Sequence, residues 1–127
     1  EVKDNVKVWN LKLPPAVRLK TIDYEKGYWI NMNRSANLTV YGIYPSNCSI
    51  NLNSGWNLIS YLGKNEQNLT DALSSISGKY IEVKDNVKVW NLKLPPAVRL
   101  KTMKPYKGYW INMNQSAVLN YPDNICN

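Results

Sequence analysis

Histidine and phenylalanine are absent from this chain of 127 residues, and cysteine occurs only twice. Without histidine the commonest general base and the commonest metal ligand are gone. Two cysteines alone cannot close a metal site. There is no glycine-rich phosphate loop, no Gly-x-Ser-x-Gly elbow and no Cys-x-x-Cys pair. No apolar run is long enough to span a bilayer, and neither an initiator methionine nor a signal peptide is present. Acidic groups are scarce, nine Asp and Glu against sixteen Lys and Arg. Paired carboxylates can hydrolyse glycosides. Here, however, Glu1/Glu82 and Asp4/Asp85 flank a turn among lysines, and Asp71 suits the first turn of a helix. The expectation is therefore no catalytic residue, no cofactor and no metal. The chain reads as something other than an enzyme.

What is present is a repeat. Residues 1–21, EVKDNVKVWNLKLPPAVRLKT, recur letter for letter as residues 82–102. The copies part at IDYE against MKPY and rejoin as KGYWINMN, residues 26–33 and 107–114. Ser35-Ala36 then matches Ser116-Ala117, and Leu38 matches Leu119, always 81 residues apart. A period of that length is one small domain. Residues 43–81 occur once. The predicted organisation is the second half of a preceding repeat (1–42), a linker (43–49), a complete unit (50–122) and a tail (123–127) carrying Cys126. An excised piece of a longer protein is the simplest source, with a permuted unit as the alternative.

Five Trp and nine Tyr supply bulky core material with polar tips, and 18 Asn favour turns over a helical bundle. The net charge of +7 concentrates in the second halves, with +3 in residues 1–42 and +5 in residues 82–122. Such a basic surface can meet anionic polysaccharide, phospholipid headgroups or nucleic acid. The plainer reading is solvated lysine on strand faces, which discourages edge-to-edge aggregation. Cys48 and Cys126 each follow a repeat end, after Tyr44-Pro-Ser-Asn and Tyr121-Pro-Asp-Asn. Their equivalent placement suggests a structural disulfide and an oxidising compartment, with two free thiols as the alternative. Five Asn-x-Ser/Thr triplets, at Asn33, Asn37, Asn47, Asn68 and Asn114, fit a surface location, although so Asn-rich a chain generates them by chance.

Within the unit, Trp56 to Tyr61 reads as a buried strand entered through Ser54-Gly55. Residues 68–78 read as a short helix, with Asn68 or Thr70 to cap it and Gly78 to close it. Leu69, Leu73 and Ile76 share one face of it. Tyr80 to Leu94 reads as a hairpin turning at Asp85-Asn86. Its apolar phase shifts at Trp90, which predicts a bulge or sharp bend near Trp90-Asn91. Pro95-Pro96 ends the pairing. Gly108 to Met113 and Val118 to Tyr121 supply further strands. The predicted fold class is α+β, mainly antiparallel β with one short helix per repeat unit.

Gly55 to Ser60 (GWNLIS), Ala72-Leu73, Ile76, Trp90 and Lys107 to Ile111 (KGYWI, also at Lys26 to Ile30) together carry a resemblance. The unit resembles a tandem repeat module of secreted and cell-surface proteins of bacteria and archaea. That resemblance implies an extracellular or cell-surface location and modularity, and no particular chemistry. The leading expectation is a structural, adhesive or assembly role, with Trp56, Trp90 and Trp110 as core. The partners would be other copies of the same repeat, as a homo-oligomer. The alternative is carbohydrate binding through exposed aromatic rings, with polysaccharide or an anionic surface as partner. Tyr109 and Trp110 are adjacent on a strand and must face opposite ways. With Trp110 in the core, Tyr109 and its counterpart Tyr28 are the candidate ligand-binding rings. Nucleic acid is not expected as a partner. The repeated half at residues 1–42 should expose Val6, Val8, Trp9, Leu11, Leu13, Trp29 and Ile30 unless it packs on the complete unit or on another chain.

Overall fold

The repeat of the sequence reappears as a repeat of hydrogen bonds. A computed structural model describes residues 1–122. In the first copy, strands β1 (Val2–Lys3), β2 (Val8–Trp9) and β3 (Trp29–Ile30) form an antiparallel sheet in the order β2-β1-β3. The unit that follows contains β4 (Ser49–Leu52), β5 (Gly55–Ser60), β6 (Gln67–Asn68), the helix α1 (Leu69–Ala72), β7 (Tyr80–Lys84), β8 (Val89–Asn91), β9 (Thr102–Met103), β10 (Gly108–Met113) and β11 (Ala117–Asn120). Its main sheet runs β5-β10-β7-β8, and β11-β4 and β6-β9 form two smaller antiparallel pairs. The fold is α+β, mainly antiparallel β with one short α-helix among the described residues.

Registers in the two copies agree residue for residue. Val2 opposes Trp9 and Ile30, as Val83 opposes Trp90 and Ile111. Lys3 opposes Val8 and Trp29, as Lys84 opposes Val89 and Trp110. The reason is local chemistry. The Asp4 and Asp85 carboxylates each accept two backbone N–H groups across a turn, at 2.6 to 2.7 Å. Pro15–Val17 and Pro96–Val98 make matching 3-10 turns, each held by an arginine Nε on a carbonyl at 2.8 Å.

In the complete unit, one face of the main sheet carries Ile59, Val83, Tyr109, Ile111 and Met113, all buried. Leu69, Ala72, Leu73 and Ile76 close over the same core, and Leu119 and Ile50 extend it from β11 and β4. Tyr61 and Tyr121 meet edge to face in that core at 5.5 Å. Burial pushes the Tyr61 hydroxyl up to about 12 and the Tyr121 hydroxyl up further. Gly78 closes the helical segment at a φ of +77°, where a side chain would be strained.

Three details refine the expectation. The helical segment is one α-turn followed by a 3-10 turn (Ser74–Ile76), and Asn68 at its start bonds the Asp71 carboxylate rather than capping the backbone. At the apolar phase change the chain takes the sharp bend rather than the bulge: β8 ends at Asn91 and turns, with the Leu94 N–H on the Asn91 carbonyl at 3.1 Å. The register shift lies instead where Asn112 faces Glu82 and Met113 faces Tyr80, leaving Ile81 as the extra, exposed residue.

Candidate assembly interface

Strand β5 is an edge strand within its own sheet, and it does not stay bare. Along an antiparallel strand the backbone groups of alternate residues point to opposite sides. Ile59 pairs with Tyr109 of β10, so Trp56, Leu58 and Ser60 turn their backbone groups outward. The partial repeat meets them. The Gly27 N–H donates to the Leu58 carbonyl at 3.1 Å, and the Ser60 N–H donates to the Glu25 carbonyl at 3.2 Å. Lys26 thereby forms an antiparallel bridge with Ile59. Asn5 Nδ2 donates to the Trp56 carbonyl at 3.0 Å, and the Ser60 hydroxyl donates to the Tyr24 carbonyl. Within the unit, the Tyr121 hydroxyl donates to the Ser60 carbonyl at 3.0 Å. An unpaired strand edge templates aggregation, and these contacts blunt it.

The contact depends on two glycines of the repeated Lys-Gly-Tyr-Trp-Ile motif. A Cβ on Gly27 would stand 2.7 Å from the Ile59 carbonyl oxygen and 3.0 Å from Leu58 Cδ1. A Cβ on Gly108 would stand 3.3 Å from Gly27 Cα. The two motifs cross at their glycines, where backbone approaches backbone. Lysines of the same motif bind the turns: Lys26 lies 3.7 Å from Asp4, and Lys107 lies 3.7 Å from Asp85. Burial raises the pKa of each carboxyl, but the two backbone N–H donors and the facing ammonium more than offset it, so both sit below the ordinary aspartate value.

Docking leaves the other face of the partial repeat uncovered. Ile30 is 44% exposed where Ile111 is 0%, Met32 is 54% where Met113 is 2%, and Leu38 is 73% where Leu119 is 0%. Trp9 is exposed as well, whereas Trp90 packs against the core and stacks at a tilt on Tyr80. Val6 and Leu11 carry no such contrast, because Val87 and Leu92 are just as exposed in the complete unit. Val8 and Leu13 are half-buried, and Trp29 is exposed.

The aromatic assignments need correction. Tyr109 is 1% exposed, so its ring is no ligand platform. Its hydroxyl accepts the Lys104 N–H at 2.7 Å, and Tyr28 repeats this with Asp23 at 2.8 Å while remaining half-buried. The alternation of faces holds, but Trp110 takes the outer face and is only half-buried there, edge to face with Trp56 at an interplanar angle of 86°. The Lys84 ammonium lies 4.5 Å from the Trp56 ring centroid. The perpendicular rings and this lysine leave no coplanar strip at Trp56 and Trp110. Trp90 is also half-buried rather than fully enclosed. Cys48 packs against the core, and its expected partner Cys126 lies outside the described residues. Asn33, Asn37 and Asn114 lie on the exposed surface.

No protein-family model, curated protein or solved structure matches the chain.

The residues that build this interface, Glu25, Gly27, Ser60 and Gly108, carry no catalytic or ligand-binding signature in the sequence. The available signal was the recurrence of glycine in both copies of the motif, beside two identical bulky residues.

Proposed function

We propose that this chain is a non-enzymatic tandem-repeat module of the cell surface or extracellular space, whose role is to assemble with further copies of the same repeat. The observation that carries this reading is the pairing of residues 25–27 with the outer edge of β5. One repeat's motif there covers an edge that its neighbour leaves open. The contact surfaces differ on the two sides, a loop on one and a strand edge on the other. Such a head-to-tail contact builds open arrays rather than closed pairs. The basic second halves keep the assembly soluble and give it affinity for anionic polymers.

The test is Gly27→Val, whose side chain has no room above the Ile59 carbonyl. The variant is expected to release the partial repeat and leave residues 50–122 folded. Limited proteolysis then cuts within residues 20–45 at least about tenfold faster, with the unit itself still resistant. Unchanged cleavage in the variant contradicts the assembly reading.

A further inference from the structure

We infer that the open face of residues 1–42 is a receptor for a first-half segment of the same repeat, a stretch with the chemistry of residues 49–81. This rests on the reading of the chain as a tandem module, and it names the partner of its second surface.

The chain contains its own control. In the complete unit, residues 49–81 supply β4, β5 and the helical segment, and they bury Ile111, Met113 and Leu119. Their counterparts Ile30, Met32 and Leu38 stand exposed; Ile30 lies on β3, which keeps the register of β10 against its neighbour, and Met32 and Leu38 follow it in irregular chain. The hairpin and β3 are thus already set in the register that a first half requires, which lowers the ordering cost of binding, while residues 31–39 take up the strand form of β10 and β11 on binding.

The backbone has room for both partners at once. In the unit, the Tyr61 N–H donates to the Lys107 carbonyl at 3.4 Å, and Tyr109 pairs with Ile59. The unit's own β5 therefore uses the Lys107 and Tyr109 side of the motif. Docking of the partial repeat uses the opposite side, the Glu25 carbonyl and the Gly27 N–H. The Lys26 N–H is held by the Asp23 carbonyl at 3.2 Å, so by alternation the Lys26 carbonyl and the Tyr28 backbone groups are left to receive a first half without displacing the docked strand. Each Lys-Gly-Tyr-Trp-Ile motif is then bivalent, with its own first half on one side and the neighbouring unit's β5 on the other.

Exchange between identical chains cannot satisfy this face. Every chain brings one first half and two second halves, so a swap that covers one face uncovers another. The occupant has to be an additional first half.

The experiment places a second copy of residues 49–81 ahead of Glu1 in the full chain, so that Ile81 of the added segment precedes Glu1 as it precedes Glu82. Amide hydrogen exchange is followed at Ile30, Met32 and Leu38. Exchange is expected to slow by about 100-fold or more, and Leu73→Asp in the added segment is expected to abolish the gain. No slowing at these amides overturns the inference, even if the Ser60 amide stays protected and the docking reading stands. Slowing at these amides with an unprotected Ser60 upholds the inference and sinks the docking reading instead. Protection that appears in the original chain as its concentration rises assigns the face to a second copy and overturns the inference.

Discussion

Asp85 holds the β7–β8 turn with its carboxylate on two N–H groups and Lys107 beside it, and Asp4 does the same in the partial repeat. Against the raising effect of burial, these donors and the facing ammonium hold both carboxyls below the ordinary aspartate pKa. A lowered carboxylate stabilises the fold fully above its unfolded value, and the contribution disappears as pH falls through the folded value. The melting temperature is therefore expected to drop as pH falls below about 4. In the Asp4→Asn/Asp85→Asn double variant that acid limb should flatten, as read by circular dichroism. An equally steep limb in the double variant contradicts this role. At pH 7, Asp85→Ala should cost about 2 kcal/mol, the scale of losing a charged acceptor of backbone hydrogen bonds. Sequence reasoning placed these aspartates at a turn, because Asp-Asn between alternating strands is a local signal. Their ion pairs leave no local mark, because the partners Lys26 and Lys107 lie 22 residues further on and only the fold brings them back.

Strands β3 and β10 offer a matched pair of elements with the same side chains in two surroundings. Ile111→Ala is expected to destabilise the chain by about 3 kcal/mol, a transfer loss plus a cavity. Ile30→Ala, at an open face, should cost about 1 kcal/mol or less. Equal costs in urea unfolding contradict the structural contrast. The strands β5 and β10, the hairpin and the burial of Leu69, Leu73 and Ile76 were legible from periodicity and turn residues. Three features were not. Tyr109 and Trp110 alternate as expected, yet periodicity cannot say which of two aromatic neighbours faces the core. Tyr109 goes inside because its hydroxyl finds the Lys104 N–H there, while Trp110 finds Trp56 outside. Strand β4 alternates, with Ile50 and Leu52 inward, but over only four residues, too short a signal beside the linker reading of residues 43–49. The bulge at Ile81 answers to β10, more than 25 residues away, and leaves no local mark.

At the scale of the molecule, the strand pair β4–β11 brings Tyr121 beside Cys48. The Tyr121 N–H lies 3.0 Å from the Cys48 carbonyl. Five further residues, each spanning up to about 3.5 Å, are long enough to return to Cys48. A Cys48–Cys126 disulfide is accordingly expected, worth on the order of 4 kcal/mol in the chain-entropy model. Mass spectrometry of native protein without reductant should find the chain two hydrogen atoms lighter than its reduced form, and two freely alkylated thiols contradict it. The repeat itself was the most legible property of the sequence, because identity at a fixed offset needs no structure to be seen. How the repeats touch was hidden. The contact is made mainly by backbone groups and two glycines, with Asn5 and the Ser60 hydroxyl added to backbone carbonyls, and no side-chain pattern announces it. Its most direct measurement is amide exchange at Ser60 in the intact chain. Ile59 and Ser60 are neighbours on β5, but Ile59 pairs within the unit while the Ser60 N–H depends on the Glu25 carbonyl of the partial repeat. With the repeats docked, both amides are protected, and Gly27→Val speeds Ser60 exchange at least about tenfold with Ile59 unchanged. Rapid exchange at Ser60 in the unaltered chain, beside a protected Ile59, contradicts the account.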